Sequence, residues 1–322
     1  MRTPRPALAI CGVTTVLLAL VAVPPASAAT ASTCTIAPVT DPTDTTTVTS
    51  TTITGTLGPD LIVCAFGVNE GTTVSGGEGE DDITVTSNPS SSVNMLSPNL
   101  GTLDGGPGND VITSTETRIS NSARGNLGIM LGGDGDDVLT ATAAVGYTGN
   151  QGTMDGGPGD DAFSTTGFNY GNIGTVLGGT ENDTVLAIAL NLGASSEGNF
   201  GTIDVGAGDD LVTLDGGFAG NSNTVDLGAG DDILLATAVN VFGGAGNDFI
   251  AVVRGGDGND TITADAPMFG NLGRLLGQGG DDIINATGVV GNGDEALIDG
   301  GPATDTCLVV GLDNGTRQNC ES

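Results

Sequence analysis

From about residue 55 onward, apolar residues stand singly between polar ones, in short stretches broken by glycine. Thr153-Met154-Asp155, Thr202-Ile203-Asp204 and Thr224-Val225-Asp226 each set one aliphatic side chain between two polar ones. A period of two predicts short half-buried strands, the middle residue inward and its neighbours outward. Stacked copies would line up a row of threonines on an outer face and a row of aspartates beside it. No segment sustains helical spacing. Two glycine signatures punctuate the strands. One is Gly-Gly-x-Gly-x-Asp followed by β-branched or aliphatic residues: GGPGNDVIT from Gly105, GGDGDDVLT from Gly132, GGPGDDAFS from Gly156, GGAGNDFIA from Gly243 and GGDGNDTIT from Gly255. The other is a Gly-Asn segment, as in Gly149-Asn150-Gln151-Gly152 and Gly171-Asn172-Ile173-Gly174, which reads as a second turn.

Aligned on its sixth position, the first signature recurs twelve times, at Asp60, Asp81, Asp110, Asp137, Asp161, Asp183, Asp210, Asp232, Asp248, Asp260, Asp282 and Asp305. The spacings are 21, 29, 27, 24, 22, 27, 22, 16, 12, 22 and 23. A period in the twenties is the mark of a solenoid, in which each coil buries its apolar face only against its neighbours. The expected fold is all-β: a right-handed parallel β-roll or β-solenoid of about 20–29-residue coils. Each coil is expected to hold a Gly-Asn turn, a strand, the glycine-rich turn and a second strand. Some copies are degraded. Residues 178–183 and 300–305 lack the fourth glycine, and Val205 and Leu227 replace the first.

Charge changes the picture. The chain has 39 acidic residues against seven arginines, no lysine and no histidine, for a net charge of −32. Such a balance excludes nucleic acid and anionic membrane as partners, because nothing neutralises phosphate. Two of the arginines, Arg2 and Arg5, precede an apolar run ending in Ala26-Ser27-Ala28. Residues 1–28 therefore read as a secretory signal peptide, residues 29–54 as a Thr-rich N-terminal segment or edge strand, and residues 55–322 as the solenoid. The product is expected to be secreted and extracellular. Its carboxylates repel one another unless a cation lies among them.

The glycine turn offers that cation a place. Its carbonyls can converge, and its closing Asp adds a carboxylate, with a second oxygen donor beside it at Asp136, Asp160, Asp209, Asp231 or Asn109. Oxygen donors without Cys or His suit Ca2+ over Zn2+ or copper. One turn has too few ligands, whereas two stacked turns have enough. These nonapeptides resemble the GGxGxDxUx repeat of RTX, or haemolysin-type, calcium-binding proteins. The resemblance implies a β-roll that folds on Ca2+ held by turn carbonyls and by the twelve aspartates named above. It differs in spacing, since RTX arrays repeat every nine residues. The longer coils imply one main row of turns, with Gly-Asn turns along the other edge.

Four cysteines fall as one pair at each end of the array, Cys34 and Cys64 at its start and Cys307 and Cys320 at its end. In an oxidising compartment they read as two local disulfides that cap the terminal coils. Without His or Lys the usual bases and nucleophile partners are missing, so no enzyme is expected. The expected function is a secreted, calcium-binding structural or adhesive solenoid. The alternatives are a β-helical lyase or hydrolase acting on polysaccharide, which requires a non-repeating polar cluster, and an ice- or surface-binding adhesin, which requires a long flat regular face.

Overall fold

The computed structural model describes residues 30–87, 97–120, 122–143, 145–193, 195–240 and 244–321. The expected leader, residues 1–28, lies outside them. Among the described residues every regular element is a β-strand.

The middle of the chain shows the plan. Thr153–Pro158 runs up to the glycine turn and Ala162–Gly167 leaves it. The three-residue strand Tyr170–Asn172 then closes the circuit before Thr175–Thr180 opens the next coil. Each strand pairs in parallel and in register with its counterparts: Met154 on Met130 and Val176, Phe163 on Leu139 and Val185, Asn150 on Asn126 and Asn172. Three ladders result, called here the first, second and third walls in coil order. The first runs from Thr52–Thr54 to Thr316–Gln318, and the second from Asp60–Cys64 to Thr306–Asp313. The molecule is a parallel β-solenoid of about 11 turns.

Alternation sets what lies inside. Leu103, Met130, Met154, Val176, Ile203 and Val225 point inward from the first wall and are fully buried. Leu139, Phe163, Val185, Val212 and Leu234 meet them from the second. One step further along the second wall, the inward row is mostly small, with Ala141, Ala187, Ala236, Ala264 and Ala286, and Leu214 as the large exception in its middle. The third wall explains the taper. Its central glycines lie directly on the second wall, and a Cβ on Gly149 would collide with the backbone nitrogen of Thr166. The Gly-Asn segments expected as turns are therefore strands, pressed too close for any side chain between the walls.

The outward rows follow the expected alternation with interruptions. Along the first wall Thr102, Ile129, Thr153, Thr175, Thr202 and Thr224 stack in one row. Asp104, Leu131, Asp155, Leu177, Asp204 and Asp226 form the next. The ends break the parallel rule. Ser32–Pro38 pairs antiparallel with both Thr46–Ser50 and the first second-wall strand, which covers that edge. Cys34 is bonded to Cys64 beneath this cover and Cys307 to Cys320 at the opposite end. Both pairs reach into the core, and each staples a terminal coil that lacks a neighbour on one side.

Candidate metal centre

Glycine turns stack along one edge of the solenoid. In the turn at 105–110, Gly106 and Gly108 have φ of 106° and 139°, values that L side chains rarely adopt. This conformation swings the closing Asp110 inward. Both positions have positive φ in every later turn of the column, and Asp60, Asp81, Asp110, Asp137, Asp161, Asp183, Asp210, Asp232, Asp260, Asp282 and Asp305 form one buried column, each 2% exposed or less. Each carboxylate from Asp81 onward accepts the backbone N–H of the aspartate one coil earlier, at 2.6 to 3.0 Å. Glu321 ends the column by accepting the N–H of Asp305 at 2.6 Å.

One oxygen in each carboxylate is left over. Oδ2 of the ten aspartates from Asp81 to Asp305, and Oδ1 of Asp60, are buried without a hydrogen-bond partner. In eight of these turns the orphan oxygen lies against the first glycine, where a Cβ on Gly132, for example, would collide with both Asp137 Oδ2 and the carbonyl oxygen of Gly156 in the next coil. At Asp60 the oxygen in that place is the one that accepts the Thr56 N–H. Orphan carboxylate and carbonyl oxygen thus share one side of that glycine. Burial pushes the acids up: Asp137 and Asp232 to about 7, Asp183 to about 8, and Asp110, Asp161, Asp210, Asp260 and Asp282 to about 6. Neighbouring carboxylates add to the rise, while the accepted N–H opposes it.

Unpartnered oxygen with carbonyl oxygen beside it is a donor set for a hard cation, and no nitrogen or thiolate competes. Among the described residues no three acidic, Cys or His side chains converge on one point. An ion here would draw most of its ligands from turn carbonyls. Two coils differ, because Val205 and Leu227 stand where the others have that first glycine, and both side chains are buried.

Asp248 does not join the column. Ala245–Asn247 is a third-wall strand, and Asp232 hands its N–H directly to Asp260, 28 residues on. Asp248 follows the strand, with its own N–H on the carbonyl of Asn221 and its carboxylate accepting from Phe249. The anomalous spacings of 16 and 12 are one ordinary coil, divided by a third-wall Ala-Gly-Asn that mimics the turn signature.

A second exposed row accompanies the column. Asp136, Asp160, Asn182, Asp209 and Asp231 are linked in the opposite sense, each accepting the N–H of its counterpart one coil later. The opposite corner holds a feature that sequence reading missed. Asn99, Asn126, Asn150, Asn172, Asn199, Asn221, Asn247, Asn271 and Asn292 are fully buried. Each amide donates to the Oδ1 of the next at 2.8 to 3.2 Å, and the last donates to Asp313. The recurring Asn in the Gly-Asn segments was the available signal. Glu197 breaks the third-wall row of Thr148, Tyr170 and Ala219. Burial pushes it to about 7, and its Oε2 is unpartnered.

No family model and no curated protein matches this chain. The RTX resemblance rests on the repeat residues alone. Among solved structures the chain is similar to one described as the X-ray crystal structure of a hyperactive, Ca2+-dependent, beta-helical antifreeze protein from an Antarctic bacterium. The identity is 20% and the TM-score 0.47, covering 84% of this chain. The chain spans 64% of the length of that protein.

Proposed function

We propose that the chain is a secreted, non-enzymatic scaffold whose solenoid is stabilised by Ca2+ held between stacked glycine turns. One observation carries the reading: eleven aspartates in a single buried column, each with one carboxylate oxygen unpartnered. Left ionised and unpaired, such groups cost several kcal/mol each in a dry interior. The chain has only seven basic residues to offset them, and among the described residues no arginine forms an ion pair with the column. A divalent cation shared by adjacent coils satisfies both the charge and the coordination. Binding to the folded state alone makes it a folding term, worth about 2.7 kcal/mol per site at a hundred times Kd. Secretion is inferred from the N-terminal apolar segment and the two disulfides. The non-enzymatic reading is supported by the polar side chains themselves, which recur coil by coil.

The test is a titration of the EGTA-stripped protein with Ca2+, followed by circular dichroism and calorimetry, with Mg2+ as control. Expected are saturable Ca2+ binding at several sites and a melting temperature at least 10 °C higher in millimolar Ca2+ than in EGTA. An EGTA-stripped protein that binds no Ca2+ and melts at the same temperature in both media would overturn the proposal.

A further inference from the structure

Carboxylates are not spread evenly over this surface. The glycine edge exposes one in nearly every coil, among them Glu80, Asp136, Asp160, Asp209, Asp231 and Asp281. The outer face of the second wall is different. Its eleven strands present three outward rows, and among the described residues these hold only three charged side chains, Asp82, Asp215 and Asp265. All three lie in the two flanking rows. The central row, which includes Thr113, Thr140, Ser164, Thr213, Leu235 and Thr263, has no charge at all. One flanking row mixes exposed aliphatic side chains, Val138 at 41%, Leu211 at 40%, Ile233 at 49% and Ile283 at 45%, with threonines such as Thr184 and Thr261.

We infer that this face pairs with the same face of a second copy of the chain, forming a two-fold dimer. Charge selects the surface. At a net charge of −32, copies repel through acidic faces, and this long face, with only three carboxylates among its described residues, lets them approach. Area fits as well. Strands about 4.8 Å apart make the face about 50 Å long, and three outward positions make it about 15 Å wide, so roughly 750 Å² per copy is covered. That is the size of a standard interface, which takes about 800 Å² from each partner. The side chains suit sheet-on-sheet packing, since Thr, Val and Ile are stiff at χ1 and lose little freedom when covered. The face offers no aromatic, Met or Arg anchor of the kind that marks a docking site for an unrelated protein. A two-fold pairing buries it completely and leaves acidic surface outside, which stops growth at two.

Sedimentation equilibrium on the purified protein, its fold checked by circular dichroism in the same buffer, tests the inference independently of ion content. A dimer at tens of micromolar is expected. Ile233→Lys should weaken it at least tenfold, whereas Thr175→Lys on the first wall should leave it unchanged. Leu211→Thr with Ile233→Thr guards against a folding defect, because Thr184 and Thr261 already occupy that row, and it should weaken the dimer as well. A folded wild type that stays monomeric into the hundreds of micromolar overturns the proposal, as does a dimer indifferent to both sets of changes. A monomer that restrains ice growth through this face would also overturn it, by assigning the face to an ordered solid.

Discussion

Two columns of buried polar side chains run the length of this solenoid, and they close their hydrogen bonding differently. In the asparagine column each amide has both a donor and an acceptor. Asn172 donates to Asn199 and to the carbonyl of Gly174, and its own oxygen accepts from Asn150 and from the N–H of Gly174. The column completes itself. In the aspartate column the carboxylate only accepts. One oxygen takes the N–H of the preceding coil and the other takes nothing. The same stacking that satisfies an amide leaves a carboxylate in need of a proton or a cation. Two such columns in one fold imply different duties, neutral Asn for a corner that must always hold and Asp for an edge that responds to its medium.

The largest effect that separates the columns, after removal of Ca2+, is that of pH on the metal-free protein. Eight of the column acids, Asp110, Asp137, Asp161, Asp183, Asp210, Asp232, Asp260 and Asp282, sit at about 6 to 8 when folded, raised by burial, against about 3.9 when unfolded. A raised acid pKa contributes stability in full below the unfolded value and loses it as pH rises through the folded one. In EGTA the melting temperature should therefore fall steadily between pH 5 and pH 8. In saturating Ca2+ the slope should flatten or reverse, because the ion binds the deprotonated form. An EGTA melting curve that does not move over this range would mean that the orphan oxygens are paired in solution.

Breaking the other column should cost less but ignore the medium. Asn199→Ala removes the acceptor of Asn172 and the side-chain partner of the Gly201 N–H, both buried. A loss of about 2–4 kcal/mol is expected from the orphaned groups. The loss should be equal at pH 5 and pH 8, with or without Ca2+, in paired denaturant titrations. A cost that depends on Ca2+ would show that the two edges are coupled through the coil.

Swapping the chemistry between columns is the sharper and smaller test. In Asp161→Asn, Oδ1 can still accept the N–H of Asp137, while Nδ2 replaces the orphan oxygen and faces the carbonyl of Gly178. At pH 8 in EGTA the variant should gain about 1–2 kcal/mol, since a buried unpaired charge is gone. In Ca2+ it should lose stability and bind fewer ions by calorimetry. Destabilisation in both media would show that the carboxylate was compensated all along.

Much of this was legible in the sequence. The alternation in Thr153-Met154-Asp155 and the period in the twenties are local records of a strand and a coil, and eleven of the twelve aspartates fell into one column. Asp248 misled because Gly244-Ala245-Gly246-Asn247 satisfies the turn pattern in letters while its backbone runs as a strand. Only three-dimensional registry, with Asn247 between Asn221 and Asn271, tells them apart. The asparagine column was hidden for a related reason. Gly-Asn is a turn dipeptide by local preference, and nothing local reveals that its glycine is there to let two walls touch. Outer faces were the least legible, since stacking alone shows which side chains share a row.

The smallest expected effect concerns the degraded turns. They keep the same backbone without the residue that makes it easy. Glu181 and Ala303 replace the fourth glycine with φ of 72° and 103°, and Gln278 replaces a second glycine at 79°. An alanine held at φ of 103° carries strain that glycine in the same place would not. Ala303→Gly should therefore stabilise the protein by about 1 kcal/mol, after the extra unfolded-state entropy of glycine is deducted. The gain should appear equally in EGTA and in Ca2+, because it resides in the backbone. A gain confined to Ca2+ would show that relaxing the turn also improves the carbonyl cradle beside Asp305, which would tie backbone geometry to ion binding at the C-terminal end of the column.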